Sequence, residues 1–223
     1  MTLSPALEKK KILVVEDHPL FRAMLVQLIE QEIGMTVCGQ TNNLRDALTI
    51  IGQTQPDAAV VDLSLSGPGG LELIKEITAR KLRFPVLVLS MHCEKLYAER
   101  ALQAGAKGYI SKEQSPAEVA AAIRTVVDGG IYASKEITKA ILNRQINGVP
   151  PLADKAINLL SDRELEVFQL IGEGLSSREI SARLHLVATT VDSYRARIKQ
   201  KLALKNAAEL YQRAALWAVT PEA

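Results

Sequence analysis

Over its first 130 residues the chain alternates two hydrophobic rhythms. Five short apolar runs, Lys11–Val15, Met35–Gly39, Ala58–Val61, Val86–Leu89 and Lys107–Ser111, have the near-continuous apolar character of parallel strands buried on both faces. Between them the apolar positions step by three and four. Phe21, Met24, Leu25, Leu28 and Ile29 share one helical stripe, and Val119, Ala122, Ile123 and Val126 share another. Ser115-Pro116-Ala117-Glu118 reads as a helix start, with a capping Ser, Pro at the first helical position and Glu at the third. Strands that alternate with helices require crossover connections, so residues 1–130 are predicted to form an α/β doubly wound (βα)5 parallel sheet.

The rhythm changes at Ile131. Residues 131–155 are predicted to be a linker with a short helix over Ser134–Gln145, ended by Asn147-Gly148-Val149-Pro150-Pro151. Over residues 156–223 no strand pattern remains. Capping-box spacings recur instead, pairing Ser161 with Glu164, Ser176 with Glu179 and Asn206 with Glu209. This part is predicted to be a small all-α domain of four short helices.

Composition narrows the classes. Of 223 residues, 48% are hydrophobic and 23% charged, which fits a folded chain rather than a disordered one. No apolar run nears the roughly 20 residues of a membrane helix, and the polar, then basic N-terminus is no secretion signal. Cys38 and Cys93 are too few for a disulfide framework and fit a reducing cytoplasm. The net charge is only +2, but Ser193–Lys205 gathers Arg195, Arg197, Lys199, Lys201 and Lys205 with no acidic residue among them. Such a stripe is either a positioned phosphate-binding surface or a solvated helix face.

Candidate chemistry sits at the strand ends. In an open α/β sheet ligands bind outside the carboxyl ends of the strands. Those ends carry Glu16 and Asp17, then Asp62, Ser90 and Lys112. Three clustered carboxylates repel one another unless a cation joins them, and a hard cation such as Mg2+ meets that need. A carboxylate held beside a cation and an ammonium group is equipped to attack a phosphoryl group.

These residues lie in the stretches VVEDHPLFR (Val14–Arg22), VVDLSLSG (Val60–Gly67), VLVLS (Val86–Ser90) and AGAKGYISK (Ala104–Lys112). In that order they resemble a response-regulator receiver domain. The resemblance implies that Asp62 is phosphorylated, with a sensor histidine kinase as donor. It implies that Glu16, Asp17, Asp62 and the backbone carbonyl of Ser64 hold Mg2+. Lys112 contacts the phosphoryl group, Ser90 bonds to it after transfer, and Tyr109 is an aromatic switch that then turns inward. His18 precedes Pro19 at a helix entry and reads as a cap, whereas His92 lies near the site mouth. Before Leu71, where the family often has a Pro and a polar or Met residue, this chain has Ser66-Gly67-Pro68-Gly69-Gly70, which reads as a flexible loop.

In the C-terminal part Val191, Tyr194, Ile198 and Leu202 form one helical stripe. Asp192, Ser193, Ala196, Lys199 and Gln200 lie opposite, flanked by Arg195, Arg197 and Lys201. A helix with a polar, basic outer face and small residues fits the major groove. The segments Leu160–Val167, Gly174, Ser176–Ser181 and Thr189–Leu202 resemble the LuxR/GerE helix-turn-helix. With the receiver, they make the chain similar to two-component response regulators of the NarL/FixJ type. The resemblance implies that Asp192, Ser193 and Ala196 face base edges. Arg195, Arg197, Lys199 and Lys201 then meet phosphates, as do Thr189 and Thr190 at the helix start. Asp192 either accepts from a cytosine amino group or pairs with Arg195. Val187 stands where a capping Ser is usual. Leu210, Ala214 and Trp217 share one side of the last helix, either to pack on their own domain or to join a dimer.

The function implied is a transcription regulator rather than an enzyme. Phosphorylation at Asp62 controls dimerisation and sequence-specific binding to double-stranded DNA, with RNA polymerase as a further partner and no membrane. Two other readings stay open at this point. One is a DNA-binding regulator whose receiver is only a dimerisation scaffold. The other is a Mg2+-dependent phosphohydrolase acting through Asp62, against which Ser64 stands where a general acid is needed.

Overall fold

The computed structural model describes residues 9–65, 69–91, 94–135, 137–139, 156–184 and 186–219. They form two compact units that divide between residues 142 and 143.

The first unit runs β1 (Lys10–Val15), α1 (Pro19–Gln31), β2 (Met35–Thr41), α2 (Leu44–Thr54), β3 (Ala58–Val61), α3 (Gly70–Ala79), β4 (Val86–Ser90), α4 (Glu94–Ala104), β5 (Gly108–Ser111) and α5 (Pro116–Val127). All five strands are parallel, in the order β2-β1-β3-β4-β5, so the predicted (βα)5 sheet is observed. After the exposed Lys10 and Lys11, β1 is apolar, and β3 is apolar throughout, because helices cover both faces. Ile12 to Val15 and Ala58 to Val61 are all buried. Leu25 and Ile29 of α1 and Val119, Ile123 and Val126 of α5 pack on the same core cluster as Ile12, Val14 and Val60. Helix starts follow local chemistry. The Ser115–Glu118 capping box closes on α5. His18 caps α1 by accepting the Phe21 N–H on its Nδ1.

From β1 the chain goes to β2 on one side, whereas β3 lies on the other. The carboxyl ends of β1 and β3 therefore flank the crevice where strand order reverses, and that crevice receives Glu16, Asp17 and Asp62.

The segment after α5 stays with this unit. Gly129, at a φ of 86°, turns the chain back, and Tyr132 bridges to Gly108 on β5. The Tyr109 N–H donates to the Tyr132 carbonyl (2.8 Å), and the Tyr132 N–H donates to the Lys107 carbonyl (3.0 Å). Ile137 is buried and the Thr138 N–H donates to the Ser134 carbonyl. The segment read as linker from residue 131 thus begins as an added edge of the sheet, fastened by bonds that the sequence pattern does not display. The predicted break at 147–151 lies outside the described residues.

The second unit has a 3-10 turn at Ile157–Leu159, then α6 (Asp162–Gly172), α7 (Ser177–Arg183), α8 (Ala188–Lys201) and α9 (Ala207–Val219). The Ser161–Glu164 and Ser176–Glu179 capping boxes both close. At α9, Asn206 accepts the Glu209 N–H, but the Glu209 carboxylate takes the Lys205 N–H instead of completing a box. Leu165, Phe168, Ile180, Val191, Ile198, Leu210 and Ala214 form the core. A Cβ on Gly172 would fall 2.5 Å from the Ala214 carbonyl oxygen, so the glycine lets α6 and α9 approach closely. Trp217 packs on Phe168 with ring centroids 5.5 Å apart. Of the two uses foreseen for Leu210, Ala214 and Trp217, packing on their own unit is the one observed.

Candidate functional site

Backbone bonds set the acidic groups side by side. The Asp62 N–H donates to the Val15 carbonyl (2.9 Å), and the Glu16 N–H to the Thr41 carbonyl (2.9 Å). One carboxylate oxygen each from Glu16, Asp17 and Asp62 lie within 4.8 Å of one another. Glu16 and Asp62 are almost wholly buried, at 1% and 2% exposure. Lys112 reaches in from beyond β5. Its Nζ stands 2.9 Å from Asp62 Oδ2 and 2.8 Å from Glu16 Oε2, and donates to Glu16 Oε1 at 3.0 Å. The same ammonium lies 4.8 Å from the centroid of the Phe21 ring, a cation–π contact. The Lys112 N–H donates to the carbonyl of Ser90, which is fully buried at the end of β4. Ser64 sits half-buried on the loop that follows Asp62.

Three carboxylates against one ammonium leave an excess of negative charge in a buried crevice. Burial, and then the charge of Asp62, push the Glu16 carboxyl above its usual 4.5, against the pull of Lys112 and the His18 N–H. Asp62 Oδ1 is buried and, among the described residues, has no hydrogen-bond partner. An orphaned oxygen within a cluster of hard oxygen donors fits a hard divalent cation.

Of the run expected to be a flexible loop, residues 66–68 lie outside the described residues, and its end makes a tight contact instead. Gly70 opens α3 with its N–H donating to the Leu63 carbonyl, and a Cβ there would stand 1.9 Å from the Asp62 carbonyl oxygen. Tyr109, expected as an aromatic switch, is fully buried on β5. His18 serves as a cap, as expected, and His92 lies outside the described residues.

In the second unit α8 buries Val191 and Ile198 and exposes Thr189, Asp192, Ser193, Ala196, Arg197 and Gln200. Thr190 and Lys199 are half-buried. The Arg197 guanidinium lies over the Tyr194 ring, 5.9 Å from its centroid. Val187 is the N-cap of α8 and supplies no side-chain bond, as its lack of a hydroxyl implies. Two basic residues are engaged by partners within the unit. Lys201 donates to Glu164 Oε2 at 2.6 Å, and Glu164 is buried. Arg195 donates to Ser177 Oγ and to the Tyr211 hydroxyl. Asp192 meets Arg195 through Ser177, whose hydroxyl donates to Asp192 Oδ1, and not as a direct ion pair. Ser177, Tyr211, Glu164, Phe21 and Gly70 were not foreseen as site residues. The "LSDRE" and "SSREIS" stretches contain Glu164 and Ser177, but nothing local marks Tyr211.

Comparison with known proteins agrees with this geometry. A family model described as a response regulator receiver domain matches residues 12–124, and one described as bacterial regulatory proteins, luxR family, matches residues 158–214. The response regulator UvrY of Escherichia coli (strain K12) is 34% identical over 199 residues, covering 89% of this chain and 90% of UvrY. A LuxR-family two-component response regulator from Aurantimonas sp. SI85-9A1 has a solved structure with a TM-score of 0.57 and 33% identity, covering 62% of this chain and 99% of that one. The two-component response regulator RcsB, solved in complex with DNA, shares the fold at a TM-score of 0.55 and 21% identity, covering 95% and 100% of the two chains. The receiver-type sheet in the first unit, the helix-turn-helix in the second and a relative matched along most of both chains lead to one assignment: the chain belongs to the LuxR-family response regulators, which join a receiver domain to a DNA-binding domain and regulate transcription.

Proposed function

We propose that this regulator is phosphorylated on Asp62 by a sensor histidine kinase in the cytoplasm, with Mg2+ required, and that phosphorylation controls dimerisation and sequence-specific binding to double-stranded DNA. The observation that carries the reading is the convergence of Glu16, Asp17 and Asp62 within 4.8 Å beside the Lys112 ammonium. Glu16, Asp17, Asp62 and the Ser64 carbonyl would hold Mg2+, which when bound offsets the negative charge of the crevice and of an incoming phosphoryl group.

The chain's own residues do the rest. Asp62 Oδ2, now paired with Lys112, forms the new bond to phosphorus as the phosphorus–nitrogen bond of phosphohistidine breaks. The bonding pair leaves with the imidazole, which takes a proton from water. Lys112 turns its ammonium from Oδ2 to the phosphoryl oxygens and neutralises their charge. Ser90, tied to Lys112 through its backbone carbonyl, supplies a hydroxyl to the transferred group. Tyr109, buried on β5, is the aromatic switch, and phosphorylation biases an existing equilibrium of its positions. The domain is a stoichiometric phosphoryl acceptor with slow self-hydrolysis, not a turnover enzyme. On DNA, Ser193 and Ala196 face base edges, while Arg197, Lys199, Thr189 and Thr190 meet phosphates. A homodimer on DNA implies a two-fold related site and can present its outer surface to RNA polymerase.

The test is incubation of the full chain with acetyl phosphate and Mg2+, followed by intact-mass measurement and DNA binding. One added phosphoryl group, absent in Asp62→Asn and accompanied by a change in DNA affinity, is the expected result. Continuous release of phosphate with many turnovers would make the protein a phosphohydrolase. Modification without any effect on DNA affinity would leave the receiver as a scaffold.

A further inference from the structure

Four side chains on three helices of the second unit form one continuous hydrogen-bonded chain. Arg195 on α8 donates from Nη2 to the Tyr211 hydroxyl on α9 (2.6 Å), and its guanidinium lies 4.7 Å from the centroid of that ring. From Nη1 it donates to Ser177 Oγ on α7 (2.7 Å). Ser177 donates in turn to Asp192 Oδ1, back on α8 (2.9 Å). The direction is forced, because a guanidinium only donates, an ionised carboxylate only accepts, and a hydroxyl has one proton. That proton goes to Asp192. The carboxylate is therefore fixed through one oxygen while it stands exposed beside Ser193 on the outer face of α8.

This arrangement changes what each charge can do. Arg195 is half-buried and its donors point at neighbouring helices, so its charge offsets Asp192 rather than a distant phosphate. Asp192 is the one acid on the outer face of a helix otherwise basic there, and near a duplex it is repelled by phosphates. It is tolerated in a groove only where a donor meets it. In the major groove those donors are the exocyclic amino groups of cytosine and adenine.

We propose that Arg195 is a positioning residue anchored by Tyr211, and that the chain Tyr211–Arg195–Ser177–Asp192 aims Asp192 at a base with an exocyclic amino group. The inference rests on the DNA-binding reading above. It assigns Asp192 to sequence preference, Arg195 to the aim of Asp192, and neither to phosphate contact.

The test selects bound fragments from random duplex DNA with the full, acetyl phosphate-treated chain, and then measures affinity against salt. The unsubstituted chain enriches a site with cytosine or adenine at one position of each half. Asp192→Ala retains the rest of the site and loses preference at that position by about 10-fold. Tyr211→Phe keeps the ring beneath the guanidinium and removes one hydrogen bond. It weakens the same preference without changing the melting temperature or the salt slope. Arg195→Met leaves the salt slope unchanged. An Asp192→Ala chain that enriches the same site with the same preference overturns the inference. So does an Arg195→Met slope that falls by about 0.9, the signature of a lost phosphate contact. If the unsubstituted chain enriches no sequence, the DNA-binding reading fails and takes this inference with it.

Discussion

Gly70 rests against the backbone of Asp62 so closely that a methyl group on its α-carbon would come within 1.9 Å of the Asp62 carbonyl oxygen and 2.8 Å of the carbonyl carbon. Neither atom can give way, because the Asp62 N–H is bonded to Val15 and the Gly70 N–H to Leu63. Gly70→Ala must therefore move Asp62 or the start of α3. Overpacking of this kind costs about 1–3 kcal/mol. The expected outcome is a lowered melting temperature together with slower labelling by acetyl phosphate. Gly129→Ala, where nothing lies within 4 Å of the added group, should lose stability through its positive φ yet label at the normal rate.

Among the described residues Lys112 is the one ammonium between Glu16 and Asp62, and its side chain is only 8% exposed. Lys112→Met leaves two buried carboxylates facing each other. Losing one partner of a buried charge pair typically costs about 3–5 kcal/mol. Urea unfolding in EDTA should show a loss of that order, and saturating Mg2+ should recover part of it. A variant as stable as the unsubstituted chain in EDTA would mean that the ion pair contributes no net stability.

The strand ends show why much of this site is legible in sequence. Glu16, Asp17, Asp62 and Lys112 each follow an apolar run, and parallel topology alone carries such positions to one edge of the sheet. Gly70 is different, because a glycine needed for close approach looks the same in sequence as a glycine needed for flexibility. Only the distance to Asp62 separates the two uses. The partners of two residues in the basic stripe on α8 are hidden from the sequence for a related reason. Lys201 meets a partner 37 positions away, and Arg195 meets partners 18 and 16 positions away on other helices. The side-chain state of Tyr109 is not written in the sequence at all, since both rotamers belong to one chain.

Glu164 joins the N-terminal cap of α6 to the C-terminal end of α8. Burial alone would raise its carboxyl. The hydrogen bond from Lys201 and those from Ser161 outweigh burial and hold it below 4.5. The unfolded chain then binds more protons than the folded one as pH falls through that range. The stabilisation is fully present above about pH 4.5 and is lost as pH drops through the depressed folded value. At neutral pH the charged hydrogen bonds contribute about 1–3 kcal/mol. Trp217 is the single tryptophan and packs within this unit, so its fluorescence reports the unit's unfolding. The acid limb of that transition should flatten in Glu164→Gln, and an unchanged limb would assign the acid sensitivity to other carboxylates.

Arg197 and Lys201 lie one turn apart on α8 and carry the same charge, yet they should fail in opposite ways. Arg197 is exposed and, among the described residues, meets only the Tyr194 ring, so its charge is available to a DNA phosphate. Each phosphate neutralised contributes about 0.9 to the slope of log affinity against log salt. Arg197→Ala should weaken binding to all duplex sequences and flatten the slope by about that amount, with the melting temperature little changed. Lys201→Ala should leave the slope in place and instead lower the stability of the second unit, because it strips the buried Glu164 carboxylate of its cation. Salt titration and thermal melting of both variants decide the matter. A flattened slope in Lys201→Ala would show that its ammonium leaves Glu164 for the duplex when the protein binds.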